Sequence, residues 1–166
     1  IAAVRSLLAG GAGVRLRLIG DGRDRDLLTA MVGPESREQI EFLGYVDNAK
    51  ALELVSQADI GVVPHHANES WNTTIPNKLF DYMAAGLPVI TSDAIPAARI
   101  VRETRAGEVF RSGDSSGLAS AIRRLSDPTV RRTAGEAGQA AILGIYNWEA
   151  DTARLVTHLA EVTSRR

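Results

Sequence analysis

Short apolar or alternating runs, typical of β-strands, recur along the chain and are separated by segments with helical periodicity. The predicted strands are residues 14–19, 40–43, 60–63, 88–91 and 107–110. Residues 60–63 are uninterrupted apolar residues rich in β-branched side chains, as in parallel strands that are buried on both faces.

Helical segments lie between these strands, and most of them begin at a good capping residue. The predicted helices are residues 1–8, 24–32, 49–56, 78–85, 97–103, 115–126, a helix from 128, and one from 148 to about 164. Predicted caps are Asp47 or Asn48, Asp114 or Ser115, Asp127 before Pro128, and Asn147. Alternating strands and helices predict an α/β fold, a Rossmann-like doubly wound parallel sheet with helices on both faces.

Composition narrows the class of protein. A length of 166 residues with 45% hydrophobic residues is sufficient for one domain with its own core. The formal net charge of −1 disfavours nucleic acid as a partner. No cysteine, no apolar run near the ~18–20 residues of a membrane helix and no signal peptide are found, so we expect a cytoplasmic protein.

A glycine-rich turn follows the first predicted strand at residues 20–22. The dinucleotide-binding fingerprint needs a third glycine at position 25, where the sequence has Arg25, so this fingerprint is absent. The turn is either structural or a place where a ligand approaches the backbone, and both interpretations remain open. Asp24 and Asp26 have the spacing of a metal-diphosphate site, but acids at a helix start also stabilise the helix dipole, which we favour.

Two adjacent histidines, His65 and His66, follow the strand at 60–63, where ligands dock in such sheets. A metal site needs three or four ligands, and only His158 is available elsewhere with no cysteine, so a hydrogen-bonding or solvated role is favoured over metal ligation. No Gly-x-Ser-x-Gly run is present, which gives no support to serine-hydrolase chemistry.

The strongest local signal is the polar loop that runs into the helix beginning near Pro76 and Asn77. Unpaired backbone N–H groups at a helix N-terminus favour phosphate, and Lys78 adds a cation in the first turn. Asp81 follows about one turn later and can accept hydrogen bonds from two hydroxyls, as a ribose diol offers. A nucleotide fits this pattern, and an ordinary surface helix with solvated charges is the alternative.

Several segments in this order resemble a known family. Residues 76–90 read PNKLFDYMAAGLPVI, and they follow ADIGVVP at 58–64 and FLGYV at 42–46. Residues 17–22, RLIGDG, and 146–149, YNWE, complete the pattern. Together they look like the C-terminal, donor-binding half of GT-B glycosyltransferases of the retaining group 1 (family 4) class, and the resemblance covers nearly the whole chain.

The resemblance implies roles for particular residues. Gly20, Asp21 and Gly22 would border the sugar-diphosphate cleft, the backbone of Tyr45 and Val46 would edge the nucleobase, and Asp81 would bind the ribose hydroxyls. The phosphate-binding loop and helix start would be formed by Thr74, Ile75, Pro76, Asn77, Lys78 and Leu79.

The chain departs from the family pattern at two places. Thr73 stands where the first glutamate of the family's paired motif faces the transferred sugar, so no catalytic residue is assigned, and Glu69 is a candidate substitute. The resemblance also implies that residues 1–166 are a donor-binding domain truncated at its N-terminal edge. The domain's first strand with its basic loop, and an N-terminal acceptor domain, would lie outside the sequence.

The resemblance implies a metal-independent hexosyltransferase of polysaccharide biosynthesis without a cofactor. It would move a sugar from a UDP or GDP donor to a glycan, lipid-linked or small-molecule acceptor bound by the N-terminal domain, with peripheral membrane association as an option. The isolated domain would be inactive. Alternatives are a nucleotide-sugar epimerase of the same fold and a non-catalytic nucleotide-binding or interaction module.

Overall fold

Five strands and eight helices alternate in the computed structural model, which describes residues 1–163. The strands are β1 Leu16–Ile19, β2 Ile40–Gly44, β3 Gly61–Val63, β4 Val89–Ser92 and β5 Gly107–Phe110. The helices are α1 Ala2–Ala9, α2 Arg25–Ala30, α3 Asn48–Ser56, α4 Asn77–Ala84, α5 Ile95–Thr104, α6 Ser115–Arg124, α7 Pro128–Gly144 and α8 Trp148–Thr163. The predicted end of the last helix at residue 164 lies outside the described residues.

All paired strands are parallel, which confirms the predicted α/β architecture. Hydrogen bonding divides them into two sheets, β1–β2 and β3–β4–β5, where the sequence predicted one continuous sheet. Among residues 1–163, β1 bonds only to β2 and β3 bonds only to β4, so no strand connects the two sheets by hydrogen bonds.

Strand β4 is the centre of the larger sheet and all four of its residues are buried. Val89 packs into a cluster with α4, α5 and α7, whereas Ile90 packs on the other face with residues of α6 and α7. Because successive side chains of a strand point to opposite faces, both faces of this sheet are covered by helices. This arrangement agrees with the continuous apolar character of residues 88–91.

Helix starts agree with the predicted caps. The Asp114 carboxylate accepts hydrogen bonds from the N–H groups of Ser116 and Gly117, and Asp127 caps α7 in the same way. Asp47, not Asn48, caps α3, and the Asn147 side chain accepts from the Ala150 N–H at 2.8 Å. Helix α2 is shorter than the predicted span of 24–32, since its N-cap Asp24 makes no side-chain capping bond and α2 buries none of its side chains.

The last helix, α8, differs from the others because its residues 151–163 are all exposed. The exposed residues include Leu155, Leu159 and Val162 on one side of the helix. None of the described helices is both long enough and apolar enough to cross a bilayer.

Candidate functional site

The loops after β1 and β2 lie side by side. Gly20 has φ +123° and its N–H donates to the Gly44 carbonyl at 2.8 Å, and Gly44 has φ +67°. These left-handed conformations strongly favour glycine. The structure therefore brings the predicted Gly20, Asp21 and Gly22 turn next to the Gly44–Tyr45 loop.

Arg25 is a cation of this edge that sequence analysis missed as a site residue. Its guanidinium lies 3.5 Å from the Asp21 carboxylate, and a side chain at Gly44 would come within 3.3 Å of its Nη1 atom. The four-residue spacing of Asp21 and Arg25 was the available signal. Tyr45 extends into solvent with 85% of its surface exposed, while Val46 is half-buried.

The start of α4 has no side-chain cap. Pro76 is the N-cap residue and provides no side-chain acceptor. The Leu79 N–H donates to the Pro76 carbonyl at 3.0 Å, and the amides of Asn77 and Lys78 make no hydrogen bond within residues 1–163. Leu79 itself has no exposed surface. The Leu79 side chain therefore packs in the core, where it holds the helix in place.

Packing fixes this helix alongside β3. Leu79 and Met83 lie in the main core, and the Tyr82 ring covers Gly61 so closely that a side chain at position 61 would overlap it. Burial raises the pKa of Tyr82, and the negative charge of Asp81 raises it further. Asp81 is exposed one turn from the helix start.

The loop between β3 and α4 is attached to the neighbouring strand ends. The Ser92 hydroxyl donates to the His65 carbonyl, the Ala67 N–H donates to Ser112 Oγ at 2.9 Å, and the Ile95 N–H donates to Asn72 Oδ1 at 3.1 Å. These tethers join residues 23 to 45 positions apart, so no local pattern predicted them. The loop is therefore held across the ends of β4 and β5.

Thr73 and Glu69 belong to one turn of this loop. The Thr73 hydroxyl hydrogen-bonds the backbone carbonyls of Glu69 and Ser70, at 3.2 and 3.0 Å. The Glu69 side chain is exposed and makes no hydrogen bond or ion pair within residues 1–163. Thr74 is exposed and Ile75 packs against the core.

His65 has an unusual environment for a loop histidine. Its ring stacks on the Trp71 ring with 3.6 Å between centroids and 5° between planes. Nδ1 is buried without a hydrogen-bond partner. Burial lowers the pKa of His65, and the positive charge of Lys78 lowers it further. Within residues 1–163 no group of three or more histidine, aspartate or glutamate side chains could hold a metal.

The predicted site residues thus form two groups, one at the ends of β1 and β2 and one around the start of α4. Within the part of the chain that is described, no hydrogen bond, ion pair or ring contact joins the two groups. Each group presents polar atoms at the carboxyl ends of parallel strands, where α/β sheets bind ligands.

Comparison with known proteins identifies the class. The fold is similar to that of sucrose-phosphate synthase from Thermosynechococcus elongatus, with TM-score 0.79, 24% identity, and coverage of 99% of this chain and 42% of that one. HepE from Anabaena, solved in complex with UDP and glucose, matches with TM-score 0.73 and 19% identity over 99% of this chain and 44% of its own. The fold is that of a GT-B glycosyltransferase domain.

The sequence comparisons specify the family. The model of "Glycosyl transferases group 1" matches residues 1–127, and the chain belongs to this family. Phosphatidyl-myo-inositol mannosyltransferase of Mycobacterium leprae is 33% identical over 135 residues, which are 81% of this chain and 34% of that protein. Glycogen synthase of Mycobacterium tuberculosis is 26% identical over 90% of this chain and 35% of its own length. The chain spans about a third of the length of these relatives.

Proposed function

We propose that residues 1–166 are the donor-binding domain of a retaining glycosyltransferase that takes its sugar from a nucleoside-diphosphate sugar. The observation that carries this proposal is the start of α4, where two unpaired amides and Lys78 are followed one turn later by the exposed Asp81. Family membership and the complex of HepE with UDP and glucose support it.

Each group of site residues has a part in binding the donor. The diphosphate accepts hydrogen bonds from the amides of Asn77 and Lys78 and pairs with the Lys78 ammonium, because helix N-termini and cations both favour anions. The Asp81 carboxylate accepts hydrogen bonds from the ribose diol. Gly20, Asp21 and Gly22 border the diphosphate, and the backbone at Tyr45 and Val46 edges the base.

In this proposal the domain stabilises the leaving group, which is the nucleoside diphosphate. The bond between the anomeric carbon and the diphosphate oxygen breaks, and its electron pair stays on that oxygen. The acceptor hydroxyl oxygen bonds to the carbon on the same face, its proton goes to the departing diphosphate oxygen, and the nucleoside diphosphate leaves. The α4 amides, Lys78 and Arg25 can stabilise the negative charge that develops on the diphosphate. This scheme requires no metal ion and assigns no proton transfer to a residue of this chain.

Other features of the whole protein stay predictions. They are the acceptor class, a separate acceptor domain, inactivity of residues 1–166 alone, a role in polysaccharide biosynthesis, and a cytoplasmic location with peripheral membrane association.

The test is thermal unfolding of residues 1–166 with millimolar UDP, GDP or ADP. A ligand at ten times its dissociation constant adds about 1.4 kcal/mol to the free energy of unfolding. We expect one diphosphate to stabilise the chain, and Lys78→Ala and Asp81→Ala to lose most of this effect. Lys50→Ala is the matched control, because Lys50 and Lys78 are the two lysines of the chain and Lys50 pairs with Glu53 on α3.

Stabilisation that survives both substitutions would contradict the proposed site. Absence of stabilisation by any diphosphate, both in residues 1–166 and in the full-length protein, would contradict the proposed function and favour the non-catalytic interaction module. Stabilisation of the full-length protein alone would show that the strand and basic loop outside this sequence complete the site. Conversion of a nucleotide sugar into its epimer by the full-length protein, without an acceptor, would favour the epimerase.

A further inference from the structure

We propose that His65 hydrogen-bonds, through Nε2, the sugar that the donor carries. The proposal rests on the proposed function, and it names the residue that takes the place of the missing first acid of the family motif. It depends on four observations: where His65 is held, how its ring is oriented, what lies next to it, and why Thr73 and Glu69 fit the role less well.

The backbone of His65 is fixed at the site. His65 lies two residues beyond β3, and its carbonyl accepts a hydrogen bond from the buried Ser92 at the end of β4. Two neighbouring strand ends therefore determine the position of its Cα atom.

Trp71 fixes the plane of the ring. The two rings are nearly parallel and in contact, and the backbone N–H of Trp71 donates to Asn68 Oδ1 at 3.0 Å. The stack limits the ring's freedom to rotate, and Nδ1 is covered. Nε2 is the ring nitrogen that is neither buried nor hydrogen-bonded within residues 1–163, so a ligand must meet the ring there.

His65 and the proposed diphosphate site lie at the same edge of the sheet, because His65 follows β3 and the loop that begins there leads to the start of α4. Burial lowers the pKa of His65, and the positive charge of Lys78 lowers it further. A neutral imidazole exchanges hydrogen bonds with a hydroxyl but contributes no charge to a phosphate. Since the transferred sugar is bonded to the distal phosphate, a neutral group next to Lys78 is suited to contact sugar hydroxyls.

The two residues that the family pattern suggested are less suited to this contact. The Thr73 hydroxyl bonds the carbonyls of its own turn. The Glu69 carboxylate is exposed and has no partner that orients it within the described chain. Neither side chain is both oriented by a partner and left with a polar atom for a ligand, as the His65 ring is within residues 1–163.

The experiment compares each nucleoside diphosphate with the nucleotide sugar that contains it. Titration calorimetry measures the dissociation constants of UDP and UDP-glucose, and of GDP and GDP-mannose, for residues 1–166. We expect His65→Ala to raise the dissociation constant of the nucleotide sugar about five- to tenfold, the effect of one lost hydrogen bond, and that of the bare diphosphate less than about twofold.

Three further variants separate binding from folding. Trp71→Ala should weaken the nucleotide sugar selectively because the ring loses its orientation, and Trp71→Phe should restore part of that loss. His66→Ala is the matched control, since its ring lies 3.4 Å from Ser112 Oγ and has no stacking partner. Cooperative unfolding of each variant at an unchanged temperature excludes a folding defect.

The outcomes are distinct. Unchanged affinity of His65→Ala for the nucleotide sugar, or equal loss for both ligands, overturns the role of His65 and leaves the proposed function intact. If neither residues 1–166 nor the full-length protein binds any member of these pairs, ADP or ADP-glucose, the proposed function fails, and the role of His65 fails with it.

Discussion

The two sheets differ in how deeply they are buried. Every residue of β4 is buried in the three-stranded sheet, whereas β1 alternates between half-buried and exposed positions. Helices α4 and α5 place six side chains in the interior, while α2 and α3 place none there. The region from β3 to α7 therefore contains most of the core.

This difference corresponds to a division of labour in the proposed site. In the proposed site, the phosphate and sugar ends of the donor meet α4 and His65, which are anchored to the deeply buried sheet. The loop after β1 borders the diphosphate from the other side, and the loop after β2, where Tyr45 is exposed, edges the base. We infer that the sugar, whose bond is broken, is held by the more deeply buried region, and that the less buried region contributes to binding of the base and the diphosphate.

The largest expected difference between the two regions is in the free energy of unfolding that is lost when a leucine is replaced by alanine. Leu79→Ala in α4 should lower the free energy of unfolding by about 3 kcal/mol, because it leaves a cavity in the core. Leu27→Ala in α2, where 64% of the leucine is exposed, should cost less than about 0.5 kcal/mol. Urea unfolding measures both values. Similar losses for the two variants would show that the two regions are equally well packed.

A smaller difference in the free energy of unfolding is expected when one glycine of each region is replaced by alanine. Gly61→Ala should cost about 1–3 kcal/mol, since the added methyl group overlaps the Tyr82 ring. Gly22→Ala is the control, because a side chain there meets nothing within 4 Å. Replacing Tyr82 by leucine in the Gly61→Ala background should recover part of the loss. A wild-type free energy of unfolding for Gly61→Ala would contradict the close packing of α4 on β3.

The smallest expected effect is a dependence of the protein's stability on pH, which arises from His65. Burial and Lys78 place the pKa of folded His65 below its ordinary value of 6.5, so the unfolded chain binds more protons between the two values. Stability is complete above pH 6.5 and decreases as the pH falls from there toward the folded pKa. Thermal unfolding at about pH 7.5 and about pH 5.5 should show this decrease.

The control separates His65 from other groups. His65→Gln should reduce the pH dependence, and His158→Gln on the exposed α8 should leave it unchanged. A pH dependence that is the same in the His65 variant would show that other groups cause it.

Much of the fold and part of the candidate site could be predicted from the sequence. The five strands, the caps Asp114 and Asp127, and the helix start at Pro76 were predicted because each signal lies within a few neighbouring residues. Local patterns did not predict the separation of β1–β2 from β3–β4–β5, since pairing joins strands far apart in the chain. The proximity of Arg25 to Gly44 was missed for the same reason.

By itself, the sequence determined an α/β fold with parallel strands and a helix whose N-terminus suits a phosphate, with Lys78 and Asp81 at the spacing of one turn. These properties follow from local periodicity, capping and charge. Only the tertiary structure decided that the Thr73 hydroxyl bonds its own turn, that Ser92 and Ser112 tether the loop, and that His65 stacks on Trp71 beside Lys78. Those contacts depend on which strand ends the sheet brings together, and parallel pairing sets that through residues distant in the sequence.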